Sequence, residues 1–370
     1  MAKKEDKYYN LKKILKENAT YNMIIGERSN GKTFSVLDYA LLDFIKSGYT
    51  NQLGIIRRWS DDFKGARGHQ MFEGIVKCDK VREYTKGEWE YIVYKSSKWY
   101  LAKNDPKLDR DILMGKPFAF GFSLNAVEHD KSISFPDIKT VLFDEFLTRK
   151  TYLPDEFVLL MNTISTIVRD RDDVKIFMCA NTVNKYAPYF TEMGIKHIDK
   201  MKQGTIDVYT YGNSELKVAV EYCSPNKEGK KSDKYFAFDN PQLNMITGGS
   251  WEIAMYPHLP QKYKNGDIKY MYFIEFNRTL LQCEVIKVRI ENKNHVFTYI
   301  HKKTTPLKLR KRDRVFTTEY SSHPNYRRNI KRPQDDLDKY FLLFYKEDRV
   351  FYQDNEIGEV VRNYLNWCSA

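Results

Sequence analysis

The sequence predicts an α/β protein that begins with a doubly wound, mostly parallel sheet and continues into a second, smaller domain. Two observations predict this class. Short apolar runs without clean polar alternation recur in the first part of the chain, which is typical of strands covered on both faces. Amphipathic stretches lie between them, and a repeated strand–helix–strand order is typical of doubly wound sheets. The predicted strands are residues 21–26, 53–59, 118–124, 140–146, 174–181 and 216–223.

Two connecting stretches are predicted to be helices. Residues 32–48 place large apolar side chains at helical spacing and end at Gly48, a residue type that often terminates helices. Residues 154–169 begin with a proline and two acidic residues and keep an apolar stripe on one side. Residues 80–103 are rich in tyrosine and tryptophan and predict an inserted hairpin.

Composition limits the classes of function. With 370 residues, of which 42% are hydrophobic, the chain can bury sizeable cores in two or three domains. A net charge of +12 and a pI near 9.1 favour a polyanionic partner, either nucleic acid or an anionic membrane surface. The apolar runs are shorter than the roughly 20 residues that span a bilayer, so we expect no membrane-spanning segment.

The N-terminal residues and the cysteines indicate a cytoplasmic protein. The first 18 residues are basic but lack the apolar core and cleavage site of a secretory signal. The five cysteines are scattered and form no CxxC pair, which predicts free thiols in a reducing compartment and gives no zinc pattern.

The chain after the predicted sheet has a different character. A polar stretch without periodicity, residues 224–234, marks a boundary. We therefore expect a first domain over residues 1–224, a linker over 225–250 and a basic C-terminal domain over 251–370. In the last domain, the segment KYMYFIEFNRTLLQCEVIKVRI predicts two strands around the turn NRT.

The stretch MIIGERSNGKTF contains a phosphate-binding motif. Gly26, Gly31, Lys32 and Thr33 match G-x-x-x-x-G-K-[ST], with a predicted strand before it and a predicted helix after it. Loop N–H groups and the helix N-terminus would bind phosphate oxygens, Lys32 would reach the β- and γ-phosphates, and Thr33 would ligate Mg²⁺. A glycine turn with a solvated lysine is the alternative. The predicted ATP-binding residues are Gly26, Glu27, Arg28, Ser29, Asn30, Gly31, Lys32 and Thr33.

A second motif ends the predicted strand TVLFDEF. Ligands of open α/β sheets bind at the carboxyl ends of the strands, where Asp144 and Glu145 are expected. Asp144 would hold Mg²⁺ through water, and Glu145 would polarise the attacking water. A strand that runs into a solvated acidic turn is the ordinary alternative. Together, the two motifs predict a P-loop NTPase of the ASCE type, in which a further strand lies between them and the glutamate is catalytic.

Three other residues are candidates for the same site. Asn181 ends the predicted strand VKIFMCAN and could orient the water or sense the γ-phosphate, and a turn asparagine is the alternative. Arg169 and Lys131 could act in trans, because a cation inserted into a neighbouring subunit's site would stabilise charge on the γ-phosphoryl group. Local ion pairs with Asp170, Asp172 and Asp173 are the alternative for Arg169.

The order of several segments resembles the DNA-packaging ATPases of phi29-like bacteriophages. The resemblance runs through nearly the whole N-terminal half, and it is carried by the segments YNLKKIL, IIGERSNGKTF, IIRRW, EHDKSISFPDIKTVLFDEF, LMNTISTIVRDRDDVKIFMCAN and NKYAPYF.

This resemblance implies a ring of ATPase subunits, most often a pentamer, at the portal of a viral prohead, which drives double-stranded DNA inward. It also implies the usual ATPase roles for Lys32, Thr33, Asp144 and Glu145. Arg169 matches the trans-acting arginine of the family, Lys131 matches a trans-acting lysine, and Asn181 matches the polar residue after its strand.

The C-terminal part matches less closely. The resemblance implies a small RNase H-like α/β or α+β domain that is a vestigial nuclease. Carboxylates could still hold two metals for DNA cleavage, but solvated acids are the simpler interpretation. The carboxylates concerned are Glu275, Glu284, Asp335 and Asp336.

Basic residues alternate with aromatic ones between Lys302 and Arg332, a segment with eleven Lys or Arg and two acids. Such a pattern suits nucleic acid, so this domain is expected to bind a structural RNA, the portal or the DNA. A solvated basic surface is the alternative.

The sequence thus predicts an ATP-driven, Mg²⁺-dependent DNA translocase that acts in the cytoplasm of an infected host, transiently on the prohead. Another nucleic-acid-stimulated P-loop ATPase, such as a helicase or a terminase with an active nuclease, is one alternative. A nucleotide-dependent scaffold of the portal is the other.

Overall fold

The computed structural model describes residues 8–105, 107, 110–126, 133–224, 249–260, 263 and 266–369. The chain divides into two compact units. The first contains residues Met1–Thr148 and Leu153–Trp251, and the second contains Arg149–Tyr152 and Glu252–Ala370. The sequence predicts two continuous domains, 1–224 and 251–370. In the structure, residues 149–152 belong to the second unit instead of the first. Most of the predicted linker, residues 225–248, lies outside the described residues.

The first unit is built on one ten-stranded sheet. Its strands are β1 (Tyr21–Gly26), β2 (Gln52–Arg57), β3 (Tyr91–Lys95), β4 (Lys98–Asp105), β5 (Arg110–Leu113), β6 (Ala119–Ser123), β7 (Ile138–Asp144), β8 (Lys175–Asn181), β9 (Thr205–Thr210) and β10 (Lys217–Tyr222). Its helices are α1 (Lys32–Lys46), α2 (Ala66–Gln70), α3 (Glu73–Lys77), α4 (Lys80–Thr85), α5 (Glu156–Val168) and α6 (Pro188–Glu192), with short 3-10 turns at Ile14–Glu17 and Ser60–Phe63.

The middle of this sheet is parallel. The strands lie in the order β3-β4-β6-β2-β7-β8-β1-β10-β9, with β5 paired to β4. The neighbours from β6 to β10 run parallel to one another. Strand β8 lies between β1 and β7, as expected for the ASCE type. The predicted doubly wound α/β sheet is confirmed.

Burial explains why the apolar runs form these strands. Five consecutive residues are buried in each of β1 and β8, and six of the seven residues of β7 are buried. Such strands need cover on both faces. Helix α1 supplies part of it, because Phe44 is fully buried and packs on Phe118 with ring centroids 5.1 Å apart.

The predicted insertion over residues 80–103 is only partly a hairpin. Residues Lys80–Thr85 form α4, and the hairpin consists of β3 and β4, joined by the left-handed residues Ser96 and Ser97. Strand β4 also pairs antiparallel with β6, so the insertion extends the main sheet. The fully buried Trp99 holds it in place, since its indole N–H donates to the carbonyl of Gly68 at 2.8 Å.

The second unit is built on a six-stranded sheet in the order β15-β14-β11-β12-β13-β16. Its strands are β11 (Asp267–Phe276), β12 (Thr279–Ile290), β13 (Lys293–Lys302), β14 (Val315–Thr317), β15 (Tyr326–Arg327) and β16 (Val350–Tyr352), and its helices are α7 (Asp336–Lys346) and α8 (Asn355–Trp367). The predicted turn NRT is present: Asn277 and Arg278 both have positive φ angles, 48° and 60°, as a two-residue type I′ hairpin requires.

The sheet of the second unit is mixed, and the expectation of an RNase H-like domain stays a prediction. Strands β11, β12 and β13 are antiparallel, and β14 runs parallel to β11 with β15 beyond it. The helices follow these strands in the chain, and residues 303–314, which connect β13 to β14, are irregular. Within the described part of the chain, no helix has both the length and the apolar character needed to cross a membrane.

Candidate nucleotide-binding site

The predicted site residues meet because parallel strands bring their carboxyl ends to one edge of the sheet. Strand β1 ends at Gly26, β2 at Arg57, β7 at Asp144 and β8 at Asn181. Gly26 and Asn181 are partners in the pairing of β1 with β8, and Asp144 pairs with Cys179 in the same β8. Groups at the ends of four neighbouring strands thus converge: the loop after β1 and the side chains of Arg57, Asp144 and Asn181.

The glycines of the loop are required by its geometry. Gly31, the residue before α1, has a φ of 93°, a conformation that side chains with a Cβ rarely adopt. At Gly26, an added Cβ would lie 2.9 Å from the Cβ of Cys223, which is closer than packed atoms allow. The loop between them therefore leads directly into the N-terminus of α1, where free N–H groups and the helix dipole favour an anion.

Lys32 is the first residue of α1 and is buried. Its ammonium donates to the carbonyl of Glu27 at 2.6 Å, to the side-chain oxygen of Asn30 at 3.1 Å and to that of Asn181 at 3.3 Å. Burial lowers the pKa of Lys32, while the nearby Asp144 and Glu27 oppose that shift. The lysine is held inside the loop, at the position from which it can reach a bound phosphate.

Thr33 and Asp144 bring two oxygen ligands together. The Thr33 hydroxyl donates to Asp144 Oδ1 at 2.8 Å. Burial raises the pKa of Asp144, and the Arg57 guanidinium and the Thr33 hydroxyl act against this rise. Hydroxyl and carboxylate oxygens are the ligands that Mg²⁺ prefers, and Mg²⁺ completes its shell with water and phosphate rather than with many side chains. This donor set therefore fits Mg²⁺.

Arg57 was not identified from the sequence. Its guanidinium contacts both acidic residues, Asp144 Oδ2 at 3.0 Å and Glu145 Oε2 at 2.8 Å. The position follows from register, because Ile56 pairs with Phe143 and the next residues of the two parallel strands are Arg57 and Asp144. The signal in the sequence is the basic pair Arg57-Arg58 near the end of a predicted strand, which does not show that this strand lies beside TVLFDEF.

Glu145 follows β7 directly and has an exposed side chain, with a relative exposure of 68%. Its φ is 58°, in the left-handed region that few non-glycine residues adopt. Such a backbone conformation persists only where its surroundings hold it, and it is common at functional sites. Within the described residues, the Glu145 carboxylate is paired with the Arg57 guanidinium.

Of the two residues predicted to act in trans, the structure describes Arg169. Arg169 follows α5, is exposed, and donates to the carbonyl of Ile133 at 2.9 Å, near the start of β7. The seven residues of β7 separate that start from Asp144 by about 20 Å. Arg169 is therefore outside its own subunit's site. The local ion pair is formed by Arg171 with Asp173 at 3.6 Å. Lys131 lies outside the described residues.

The predicted carboxylates of the second unit are not brought together. Glu275 is exposed on β11, and Glu284 binds His301 at 3.2 Å. Asp335 and the buried Asp338 form ion pairs with Arg314 and Arg327. Partial burial of Asp335 raises its pKa, but the Asp338 N–H and the Arg314 guanidinium outweigh that and hold the pKa at about 2. Asp336 pairs with Lys339.

Arginines thus occupy the place that metal ions would need beside Asp335. Within the described residues, no group of three His, Cys, Asp or Glu side chains is arranged to hold a metal ion. The geometry does not favour a nuclease centre in the described part of this unit.

The fold and the site define a P-loop NTPase domain of the ASCE type. The sequence profile of the Podovirus DNA encapsidation protein (Gp16) family matches residues 3–230. This is more than half of the chain, and the chain belongs to that family.

Similar proteins agree with this assignment. The DNA packaging protein of Bacillus phage phi29 is 28% identical over 186 residues, which cover 50% of this chain and 49% of that protein. The DNA packaging protein of Bacillus phage B103 is 25% identical over 185 residues, covering 49% and 50%. The chain thus spans about half the length of the curated relatives it matches.

Two solved structures share the fold over almost the whole chain. The viral genome packaging motor assembly of bacteriophage Phi-29 has a TM-score of 0.55 at 19% identity and covers 96% of both chains. The gp11 DNA packaging motor of Phi-28 has a TM-score of 0.52 at 17% identity and covers 99% of both. At these identities the likeness concerns the fold alone.

Proposed function

We propose that the chain is a subunit of an ATP-driven motor that translocates double-stranded viral DNA into a prohead. One observation carries the proposal. The Thr33 hydroxyl lies 2.8 Å from the Asp144 carboxylate, beside the phosphate-binding loop, and Glu145 follows immediately. Membership of a DNA encapsidation family supplies the substrate class.

The residues have separable roles in ATP hydrolysis. Lys32 and the N-terminus of α1 would bind the phosphates, and Thr33 and Asp144 would hold Mg²⁺. When bound, the metal neutralises charge on the β- and γ-phosphate oxygens. Glu145 orients the attacking water and takes its proton. Asn181 lies beside Lys32, where its amide is within reach of the same water or of the γ-phosphate.

A neighbouring subunit of the ring supplies the remaining positive charge beside the γ-phosphate. Arg169 is exposed at the opposite edge of the sheet, which suits a residue that completes a neighbouring subunit's site, and Lys131 is proposed for the same role. A site shared between two subunits couples hydrolysis to the geometry of the ring. We further propose a pentamer on the portal, in the cytoplasm of the infected host, with the basic second unit binding a structural RNA, the portal or the DNA.

The test is ATP hydrolysis by the purified protein with and without double-stranded DNA. We expect DNA-stimulated turnover in the wild type and none in Glu145→Gln or Arg169→Ala. An equal mixture of the two variants should recover part of the activity, because some interfaces then join an intact Glu145 to an intact Arg169. Arg110→Ala, which changes an exposed arginine on β5, is the matched control and should behave as the wild type.

The other outcomes separate the alternatives. Turnover that ignores DNA would favour a nucleotide-dependent scaffold. Strand separation would indicate a helicase, and metal-dependent cutting of DNA would indicate an active nuclease. Normal hydrolysis by Arg169→Ala alone would remove the trans-acting role while leaving the ATPase in place.

A further inference from the structure

Two consecutive arginines follow the apolar part of β2, and they contact different parts of the same acidic segment. Arg57 pairs with the carboxylates of Asp144 and Glu145. Arg58 is buried, with a relative exposure of 7%, and its guanidinium contacts the backbone of that segment. This division follows from strand geometry, because successive side chains point to opposite sides.

The Arg58 guanidinium binds the two carbonyls that follow β7. Its Nη2 donates to the carbonyl of Phe146 at 2.9 Å, and its Nη1 donates to the carbonyl of Glu145 at 3.3 Å. Charge-assisted hydrogen bonds of this kind contribute more than neutral ones, and the arginine fork fixes direction as well as distance. Arg58 therefore holds the peptide units on the C-terminal side of the proposed catalytic carboxylate.

A buried carboxylate fixes Arg58 in turn. Glu156, the first residue of α5, accepts from Arg58 Nε at 2.7 Å and from Nη2 at 2.8 Å. Its side chain is fully buried and also accepts from the Leu153 N–H at 2.7 Å and from the Tyr189 hydroxyl. A bidentate pair in this environment leaves the guanidinium little freedom to move.

The backbone held in this way is unusual. Glu145 has a φ of 58°, a strained conformation that a non-glycine residue keeps only where neighbouring groups hold it. The next residue, Phe146, is fully buried and packs on Tyr189 with ring centroids 5.7 Å apart. The backbone conformation of Glu145 is thus held by the Arg58 hydrogen bonds to the carbonyls of residues 145 and 146, and by the packing of Phe146 on Tyr189. Glu156 in turn holds Arg58.

We propose that Arg58 is a positioning residue for ATP hydrolysis, which acts by holding the backbone of Glu145 in the conformation that aims its carboxylate at the attacking water. Glu156 is the anchor of Arg58. This inference rests on the proposed role of Glu145.

The test uses charge-neutral variants, because Arg58→Met alone would leave the Glu156 charge buried without its partner. The full-length Arg58→Met/Glu156→Gln variant removes both charges and keeps an acceptor for Leu153 and Tyr189. We expect kcat to fall by about 10–100-fold, as misplacement of a catalytic group by an ångström does, with KM for ATP within about twofold of the wild type. Lys80→Met/Glu83→Gln, which removes an exposed ion pair on α4 away from the site, is the matched charge-neutral control and should hydrolyse ATP as the wild type does.

A double-mutant cycle with Glu145→Gln distinguishes positioning from a general loss of structure. In the Glu145→Gln background, the Arg58→Met/Glu156→Gln change should have no further effect on single-turnover hydrolysis. A wild-type kcat in the folded Arg58→Met/Glu156→Gln variant, or an equal loss in both backgrounds, would overturn the proposal. If that variant does not fold, Arg58→Lys decides: an unchanged kcat overturns the proposal, and a reduced kcat with unchanged KM supports it.

The failure of the proposed function gives a different result. If Glu145→Gln alone hydrolyses ATP as the wild type does, the ATPase assignment of Glu145 is wrong. If Glu145→Gln is inactive and the Arg58 variants are fully active, only the positioning role of Arg58 is wrong.

Discussion

At the scale of single residues, the ion pairs of Arg57 set the state of the site. Its guanidinium binds Asp144 and Glu145 at 3.0 and 2.8 Å. A carboxylate oxygen that accepts a hydrogen bond from an arginine cannot accept a proton from water with the same lone pair. Glu145 must therefore leave Arg57 before it can act as a base.

Replacement of Arg57 should release Glu145. A hydrogen bond to a charged group contributes about 1.5–3 kcal/mol, and 1.4 kcal/mol corresponds to a factor of ten in rate. We expect Arg57→Gln to raise DNA-independent ATP turnover about tenfold and to lower the ratio of DNA-stimulated to basal turnover. Steady-state hydrolysis with and without DNA measures both. Arg57→Lys keeps the positive charge but not the bidentate guanidinium, so its basal turnover should lie between those of the wild type and Arg57→Gln. An unchanged ratio of DNA-stimulated to basal turnover in Arg57→Gln would contradict this role of Arg57.

Sequence reasoning located the acidic residues but not their arginine partners. Gly26, Lys32 and Thr33 are recognisable because their motif is local in the chain. Arg57 and Arg58 act through neighbours that are about 90 residues away, and their roles depend on the pairing of β2 with β7. An unaligned single sequence does not contain that register, so the two residues could be noticed only as a basic pair at a strand end.

At the scale of elements, the β12–β13 hairpin contains a histidine whose pKa is raised by a carboxylate on the adjacent strand. His301 Nε2 lies 3.2 Å from Glu284 Oε1, on adjacent strands. The hydrogen bond to Glu284 raises the pKa of His301 above 6.5, although burial opposes the shift. A histidine whose pKa is raised by folding stabilises the folded state below its unfolded pKa, and that stabilisation is lost as the pH rises through the folded pKa.

The stability difference between wild type and His301→Gln should therefore depend on pH. We expect the wild type to be more stable by about 1 kcal/mol below pH 6.5, and the difference to shrink as the pH rises through the raised pKa of His301. Thermal unfolding across that pH range measures it. His295→Gln, at an exposed position on the same strand, is the control. A difference that stays constant or grows with pH would show that the pair does not titrate as described.

Strands were predictable where the chain has a continuous apolar run. The strands β1, β7, β8 and β10 were each predicted to within two residues at both ends, because their apolar runs are continuous. Residues 80–85 were assigned to a hairpin but form α4, since a six-residue helix is too short to show a period. The carboxylates of the second unit could not be placed, because their separation depends on how α7 packs against β14.

At the scale of the whole molecule, the second unit includes four residues from the middle of the chain. The Arg149 guanidinium donates to Glu359 Oε1 on α8 at 2.7 Å and to the carbonyl of Glu252 at 2.8 Å. In return, Arg362 donates to the carbonyl of Arg149 at 2.8 Å. The Glu359 side chain is only 3% exposed, so its charge depends on these arginines.

Loss of the Arg149 side chain should weaken the second unit. Removal of one partner from a buried ion pair strongly destabilises a folded protein. Because Arg149 is partly exposed and Arg362 remains, we expect Arg149→Met to lower the free energy of unfolding of the second unit by about 2 kcal/mol. Amide hydrogen exchange of the full-length protein should show protection of the α8 amides reduced about thirtyfold. Arg289→Met, at an exposed position on β12, should change nothing. Unaltered α8 protection in Arg149→Met would show that residues 149–152 are not a structural part of the unit.

The excursion of residues 149–152 limits how this chain can exchange parts with its relatives. A chimaera that joins an N-terminal region to another C-terminal region near residue 251 separates Arg149 from Glu359 and Arg362. It keeps this ion-pair network only if residues 149–152 are transferred as well. A transplant of the whole second unit therefore needs two cuts in the chain before residue 252, on either side of a four-residue segment.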